Sequence, residues 1–242
     1  MLCRSMTVIC GLLLVACGNL AAEDKCSKKK APETMDRMPL IFSEDFEEGT
    51  ENWVPTDEKA WKITENKDGS KVYGTVIRVS NYKPPHRSPH NISLIKDLAV
   101  SDFIFTAKVQ STADTGGHRD MCIFFNYQDP ANFYYVHMGK KPDPNSSQIM
   151  IVDDAPRKPI TENESPGVPW TGDWHKVKVV RKVDTGAIEI YFDDMDKPIM
   201  VATNKTFKAG QIGVGSFDDL GNWDDIKIYG KKVCVKKDEA KK

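Results

Sequence analysis

From Asp102 to Ser111 the chain alternates: Phe103, Phe105, Ala107 and Val109 fall on one side of an extended strand, while Thr106, Lys108 and Gln110 fall on the other. A period of two carried by aromatic and β-branched residues predicts a strand with one face buried. Shorter runs of the same kind recur at Trp61–Thr64, Val72–Val79, Met121–Asn126, Phe133–Met138, Ile149–Val152, Val177–Val180, Ile188–Phe192, Ile199–Ala202, Gln211–Phe217 and Trp223–Tyr229. No long stretch keeps the 3.6-residue period of a helix. Turn residues separate the runs. Asp184-Thr185-Gly186 predicts a hairpin, because glycine tolerates positive φ, and Asp193-Asp194-Met195-Asp196 predicts the next tight connection. Many short strands without a fixed repeat predict an all-β fold of two packed antiparallel sheets and speak against a propeller.

The ends of the chain differ from this body. Arg4 precedes the apolar run Met6–Ala16. That run is too short for a permanent span, which needs about 20 apolar residues. A basic start, a short apolar stretch and small residues after it predict a secretory signal, hence an exported protein. Leu14-Val15-Ala16-Cys17 resembles the lipobox of bacterial lipoproteins, which implies a lipid on Cys17 and a place at the cell envelope. Cleavage after Ala21 or Ala22 is the alternative and would leave a soluble secreted protein. The expected layout is a signal over 1–16, a linker over 17–38, one sandwich domain over 39–230 and a basic tail over 231–242.

Charge and cysteines narrow the classes further. The net charge of −1 hides an acidic body, since residues 31–230 hold 31 Asp and Glu against 23 Lys and Arg. The tail holds six Lys against Asp238 and Glu239, and Lys28-Lys29-Lys30 adds a second basic cluster. Both basic ends are expected to be solvated. An acidic body argues against nucleic acid as a partner. It favours neutral ligands over strongly anionic ones unless a local basic patch overrides it. None of the six cysteines has the CxxC or CxxH spacing of a zinc site. Cys122 lies inside Met121-Cys122-Ile123-Phe124-Phe125 and is expected to be a buried, inert thiol. Cys26 and Cys234 flank the domain. Export permits a Cys26–Cys234 disulfide, worth up to about 4–5 kcal/mol in the loop-entropy model, and two free thiols are the alternative.

Several motifs carry a resemblance. Trp174-His175-Lys176-Val177-Lys178-Val179-Val180, Ile188-Glu189-Ile190-Tyr191-Phe192-Asp193 and Gly210-Gln211-Ile212-Gly213-Val214-Gly215 resemble the Trp-His strand, the strand ending in Asp and the Gly-x-Ile-Gly strand of laminin-G and concanavalin A-like domains. Asp129-Pro130-Ala131-Asn132-Phe133-Tyr134-Tyr135-Val136 is similar to a hairpin of such domains. Asp45-Phe46-Glu47 with Trp53, and Asp224-Asp225-Ile226, resemble the ends of many carbohydrate-binding sandwiches. A fainter likeness is to the 3-keto-disaccharide hydrolases. The resemblance implies a two-sheet antiparallel jelly roll and leaves function open, because this fold hosts lectins, glycosidases, lyases and adhesion modules. It also implies one structural calcium ion where the first and last strands meet, held by Asp45, Glu47, Asp224 and Asp225. Calcium takes 6–8 oxygen ligands from carboxylates and carbonyls.

Three polar-aromatic stretches are candidates for a ligand site. One is the proline-stiffened loop Asn81–Asn91, with His86, Arg87 and His90. The second is His118-Arg119-Asp120, and the third holds Tyr135 and His137. Sugars need flat apolar faces for their C–H surfaces and planar hydrogen-bonding groups for their hydroxyls, and these residues supply both. They are expected to border one site for an oligo- or polysaccharide. The competing reading is a solvated loop, a structural Arg119–Asp120 pair and half-buried hairpin aromatics. A laminarinase-type glycosidase needs paired carboxylates about 5–5.5 Å apart, and no inner strand carries its Glu-x-Asp-x-x-Glu pattern. A polysaccharide lyase needs Arg or His against a uronate and Tyr or His to move protons. Arg87, His90, His118, Arg119, Tyr135 and His137 contain those types. The expectation is therefore a non-catalytic glycan-binding module, with a polysaccharide-degrading enzyme second and a structural or adhesion protein third.

Overall fold

The computed structural model describes residues 33–234. In chain order these form β1 (Thr34–Met35), β2 (Met38–Glu44), β3 (Trp53–Pro55), β4 (Trp61–Glu65) and β5 (Lys71–Thr75). There follow β6 (Asn91–Ser111), β7 (Asp120–Asp129), β8 (Asn132–Gly139), β9 (Gln148–Asp153) and β10 (Lys158–Pro159). The last are β11 (His175–Lys182), β12 (Ala187–Phe192), β13 (Met200–Thr203), β14 (Gly210–Ser216) and β15 (Gly221–Val233). Helix is confined to the single turns Glu58–Ala60 and Gly116–His118 among the described residues.

Every strand pairing is antiparallel, and β6 belongs to both layers. Its first half pairs with β14 and β3, and its second half with β15 and β11. The change of partner falls at an irregularity around Asp97, which has φ 52° and whose flanking register against β14 jumps from Leu94 to Ala99. Extra residues in one strand bend it and raise its twist, which is how a strand turns the corner of a sandwich. One layer continues from β14 through β7, β8, β9 and β10; the other runs β13, β12, β11, β6, β15, β2, with the β4–β5 hairpin on β15.

The alternation read in Asp102–Ser111 is observed. Phe103, Phe105, Ala107 and Val109 enter the main core, while Thr106, Lys108 and Gln110 are partly exposed. Ile104, on the opposite face, joins a separate cluster with Val180, Tyr191 and Tyr229. The hairpin turn at Gly186 has φ +84° as required. Cys122 is fully buried, and burial pushes its thiol well above the usual range. The run Val72–Val79 is corrected: β5 ends at Thr75, and Val76, Ile77 and Val79 are exposed. The Cys17 and Cys26 readings, the signal and most of the tail lie outside the described residues; Cys234 is exposed. No helix among the described residues is long and apolar enough to cross a membrane.

One departure from simple alternation positions the site. Strands β7 and β8 are buried on both faces. Ile123, Phe125, Tyr134 and Val136 face the main core, whereas Cys122, Phe124, Phe133 and Tyr135 face outward into a second apolar cluster. The segment between β5 and β6 covers this outer layer. Tyr82 packs on it, Ser88 and Pro89 are buried, and the His90 amide donates to the Phe217 carbonyl. The proline loop is thus a packed cover as well as a rim.

Candidate functional site

A cavity of about 680 Å³ opens where this cover meets the ends of β7, β8 and β14. Its wall includes Arg87, His118, Asp120 and His137, so four of the eight expected ligand residues converge there from the three stretches. Tyr135 lies beneath it, fully buried. His86 stays outside, its Nε2 3.3 Å from Asp154 Oδ1. His90 packs edge-on against Phe217 and is not part of the wall. Arg119 is turned the other way. It is buried, with Nε donating to Ser111 Oγ at 2.8 Å and Nη2 to the carbonyls of Ser111 and Thr171. It is not paired with Asp120, and of the two residues only Asp120 reaches the cavity wall.

The residue that organises the cavity is Arg157, which follows β9. Its guanidinium lies 4.1 Å over the Phe217 ring. Nη1 donates to Tyr135 Oη at 3.0 Å and lies 3.2 Å from His137 Nδ1. Arginine can only donate, so His137 Nδ1 accepts and the ring proton sits on Nε2. Nε2 faces Asp120 Oδ2 at 3.5 Å. Asp120 Oδ1 in turn accepts the Phe217 amide at 2.8 Å. The result is a chain from Asp120 through His137 and Arg157 to Tyr135, laid against the ring of Phe217. Burial drives the Tyr135 hydroxyl well above the usual tyrosine range, with Arg157's charge opposing the shift.

Neighbouring Asp219 is fully buried at the same end. Its Oδ2 accepts from Thr115 Oγ1 at 2.6 Å and from the Asp120 amide at 3.1 Å. Burial raises its carboxyl above the ordinary value, opposed by the Thr115 hydroxyl and reinforced by the charge on Asp120. Arg78 closes this side, donating Nε to the Asp218 carbonyl at 3.0 Å. Neither Arg157, Arg78 nor Phe217 was marked by the pattern of the sequence. Arg157 stands alone in a loop segment, Arg78 falls inside the run Val72–Val79 that reads as strand, and Phe217 reads as the end of another.

The four carboxylates expected to hold calcium also converge. Asp45, Glu47, Asp224 and Asp225 line one cavity of about 390 Å³ together with Asp68, Lys108 and Trp174. Burial, with the charges of Asp225 and Asp45, pushes the Asp224 carboxyl up to about 6. These are hard oxygen donors of the kind calcium takes. Lys108 Nζ stands among them, 2.5 Å from Asp225 Oδ2. No group of three or more metal-ligating side chains among the described residues is close enough, as it stands, to hold an ion.

No protein-family model matches this chain, so the likeness to the 3-keto-disaccharide hydrolases gains no support. No curated protein matches it either. Solved structures do. A carbohydrate-binding module from Bacillus subtilis superimposes with a TM-score of 0.54 at 15% identity, covering 74% of this chain and 96% of the module. Cellulose-induced protein gives 0.52 at 16% identity, over 80% of this chain and 99% of the other. Peanut lectin gives 0.51 at 14%, over 80% and 98%. At these identities the likeness is one of fold alone: an all-β, two-sheet antiparallel jelly-roll sandwich of the concanavalin A type.

Proposed function

We propose that this is an exported, non-catalytic glycan-binding protein whose ligand seats in the Arg157 cavity. The observation that carries the reading is the convergence of Arg87, His118, Asp120, His137 and Arg157 on one open recess, backed by a rigid aromatic layer. Planar, pre-positioned donors and acceptors on such a support lose little entropy on binding a sugar. That proteins with this fold include a carbohydrate-binding module and a lectin supports the same reading. Against catalysis by His137 or Tyr135 stands the commitment of both groups. His137 uses Nδ1 for Arg157 and Nε2 for Asp120, and the Tyr135 hydroxyl is buried and takes Arg157's hydrogen bond. A lyase base needs a free lone pair beside the substrate.

The test is a glycan array probed with the purified protein, followed by reducing-end and unsaturated-product assays on each hit. Binding without product is the expected result, and product formation would replace the module reading with the enzyme reading. Export and anchoring rest on residues 1–17. Palmitate should label the protein expressed in a bacterial host, and Cys17→Ala should abolish the label.

A further inference from the structure

We infer that the group anchored in this cavity is an oxyanion on a sugar, a uronate carboxylate or a sulfate ester, received by Arg157 and Arg87. The inference rests on the glycan-binding reading and names its ligand class.

The argument begins with what Arg157 has left to give. Both Nη1 hydrogens are spent on Tyr135 and His137. Nε is buried and has no acceptor, and Nη2 has none among the described residues. No carboxylate lies within ion-pair distance of Arg157 or of Arg87 among the described residues. Nε is closed off inside the protein, so the group left for a ligand is Nη2 of a half-buried guanidinium seated over Phe217, a charged donor of the kind that carboxylate and sulfate oxygens take. Arg87 is exposed and makes no side-chain bond of its own, while its carbonyl accepts the Arg157 amide at 3.2 Å. The two cations are therefore tied to each other through the backbone.

The wall holds four carboxylates against the guanidiniums of Arg78, Arg87 and Arg157; the carboxylates keep their charge, but none lies within ion-pair distance of Arg87 or Arg157. Asp120 serves His137 and the Phe217 amide. Asp114 accepts the Gly116 amide and stands 3.9 Å from Lys140, and Asp143 accepts the Asn145 amide. Asp218 gives Arg78 its backbone carbonyl, and its carboxylate is part of the wall. A neutral sugar would also find little to stack on. Phe217 is the one aromatic hydrocarbon ring on the wall, it is buried, and Arg157 lies over it. The acidic body of the chain favours neutral ligands only at long range. Beyond a screening length of about 8 Å that field is weak, and within the cavity the two guanidiniums that no carboxylate holds are the donors left for an oxyanion.

Two polymer pairs separate the possibilities: dextran sulfate against dextran, and polygalacturonate against its carboxyl-reduced form, titrated calorimetrically into the purified protein at low and high salt. Binding of a charged polymer, at least about tenfold tighter than its neutral counterpart and weakened by salt, is expected, and the two pairs tell sulfate from carboxylate. Arg157→Gln and Arg87→Gln should each cost about tenfold for the charged member. Arg87→Gln touches no structural bond, so its loss cannot be ascribed to misfolding. If the neutral members bind as tightly as the charged ones, or both variants bind as well as native protein, the inference fails while glycan binding stands. If a broad array yields no glycan of either kind, both fall together.

Discussion

Truncating Arg119 would strand the hydroxyl and carbonyl oxygens of Ser111 inside the domain. Arg119→Ala is expected to cost about 2–3 kcal/mol of stability, read in denaturant melts, with any loss of binding following from that. Tyr135 is as buried, and Tyr135→Ala should cost about 3–5 kcal/mol through the cavity it leaves. Asp219 offers a pH test. Its folded-state carboxyl is raised above the ordinary 3.8, so the folded protein holds that proton more tightly than the unfolded chain. The cost of the ionised group is thus fully present above the raised value and is relieved as pH falls through it. Asp219→Asn removes that cost while keeping an acceptor for Thr115. The variant should gain on native protein near pH 7–8, and the gain should shrink toward pH 4. A melting-temperature difference that stays constant across that range would refute the assignment.

At the scale of elements, β14 shows why its glycines stand where they do. It is flanked by β6 and β7, and a Cβ on Gly215 would meet the Asn91 carbonyl at 1.9 Å and one on Gly213 the Ser93 carbonyl at 2.3 Å. Gly215→Ala must push β6 away, and roughly 1–3 kcal/mol or more is expected to be lost, measurable by urea unfolding. The same motif thus marks close strand approach and says nothing of ligand. The cover between β5 and β6 works differently. Its backbone is held by side chains from elsewhere, with Asn91 Nδ2 donating to the Ile77 and Arg78 carbonyls and Ser80 Oγ to the His90 carbonyl. In the run of Val, Ile and Val that reads as strand, the Val76 amide goes to the Ala60 carbonyl and the Ile77 carbonyl to the Asn91 side chain, so no strand ladder continues past Thr75.

For the whole molecule, the acidic cavity joins the first and last long strands, β2 and β15, which pair directly. Lys108 already supplies one positive charge there, so an added cation must displace it. Calcium is expected to raise the melting temperature and chelator to lower it, with Asp225→Ala removing the difference. Lys108→Met should enlarge the calcium effect. Identical melts with calcium and chelator, in both native protein and Lys108→Met, would rule the ion out.

Period-two patterning suffices for the strand content, for the inward face of β6 and for the turn at Gly186, because each depends on neighbours within a few residues. The buried state of Cys122 was legible for the same reason. Burial of β7 and β8 on both faces was not, since it depends on a cover some 40 residues away in the chain. The split fate of His118-Arg119-Asp120 was hidden too. His118 ends a single helical turn, Arg119 follows it and Asp120 begins β7, and only the surrounding layers determine which of the three meets the cavity. Arg157 illustrates the limit. As a residue it is one arginine among many, and its role arises from Tyr135 and His137 on β8 and Phe217 just past the end of β14, segments distant from it or from each other in the chain. Local periodicity determines what forms; the packing of distant segments decides which polar groups are left facing a cavity with bonds still to make.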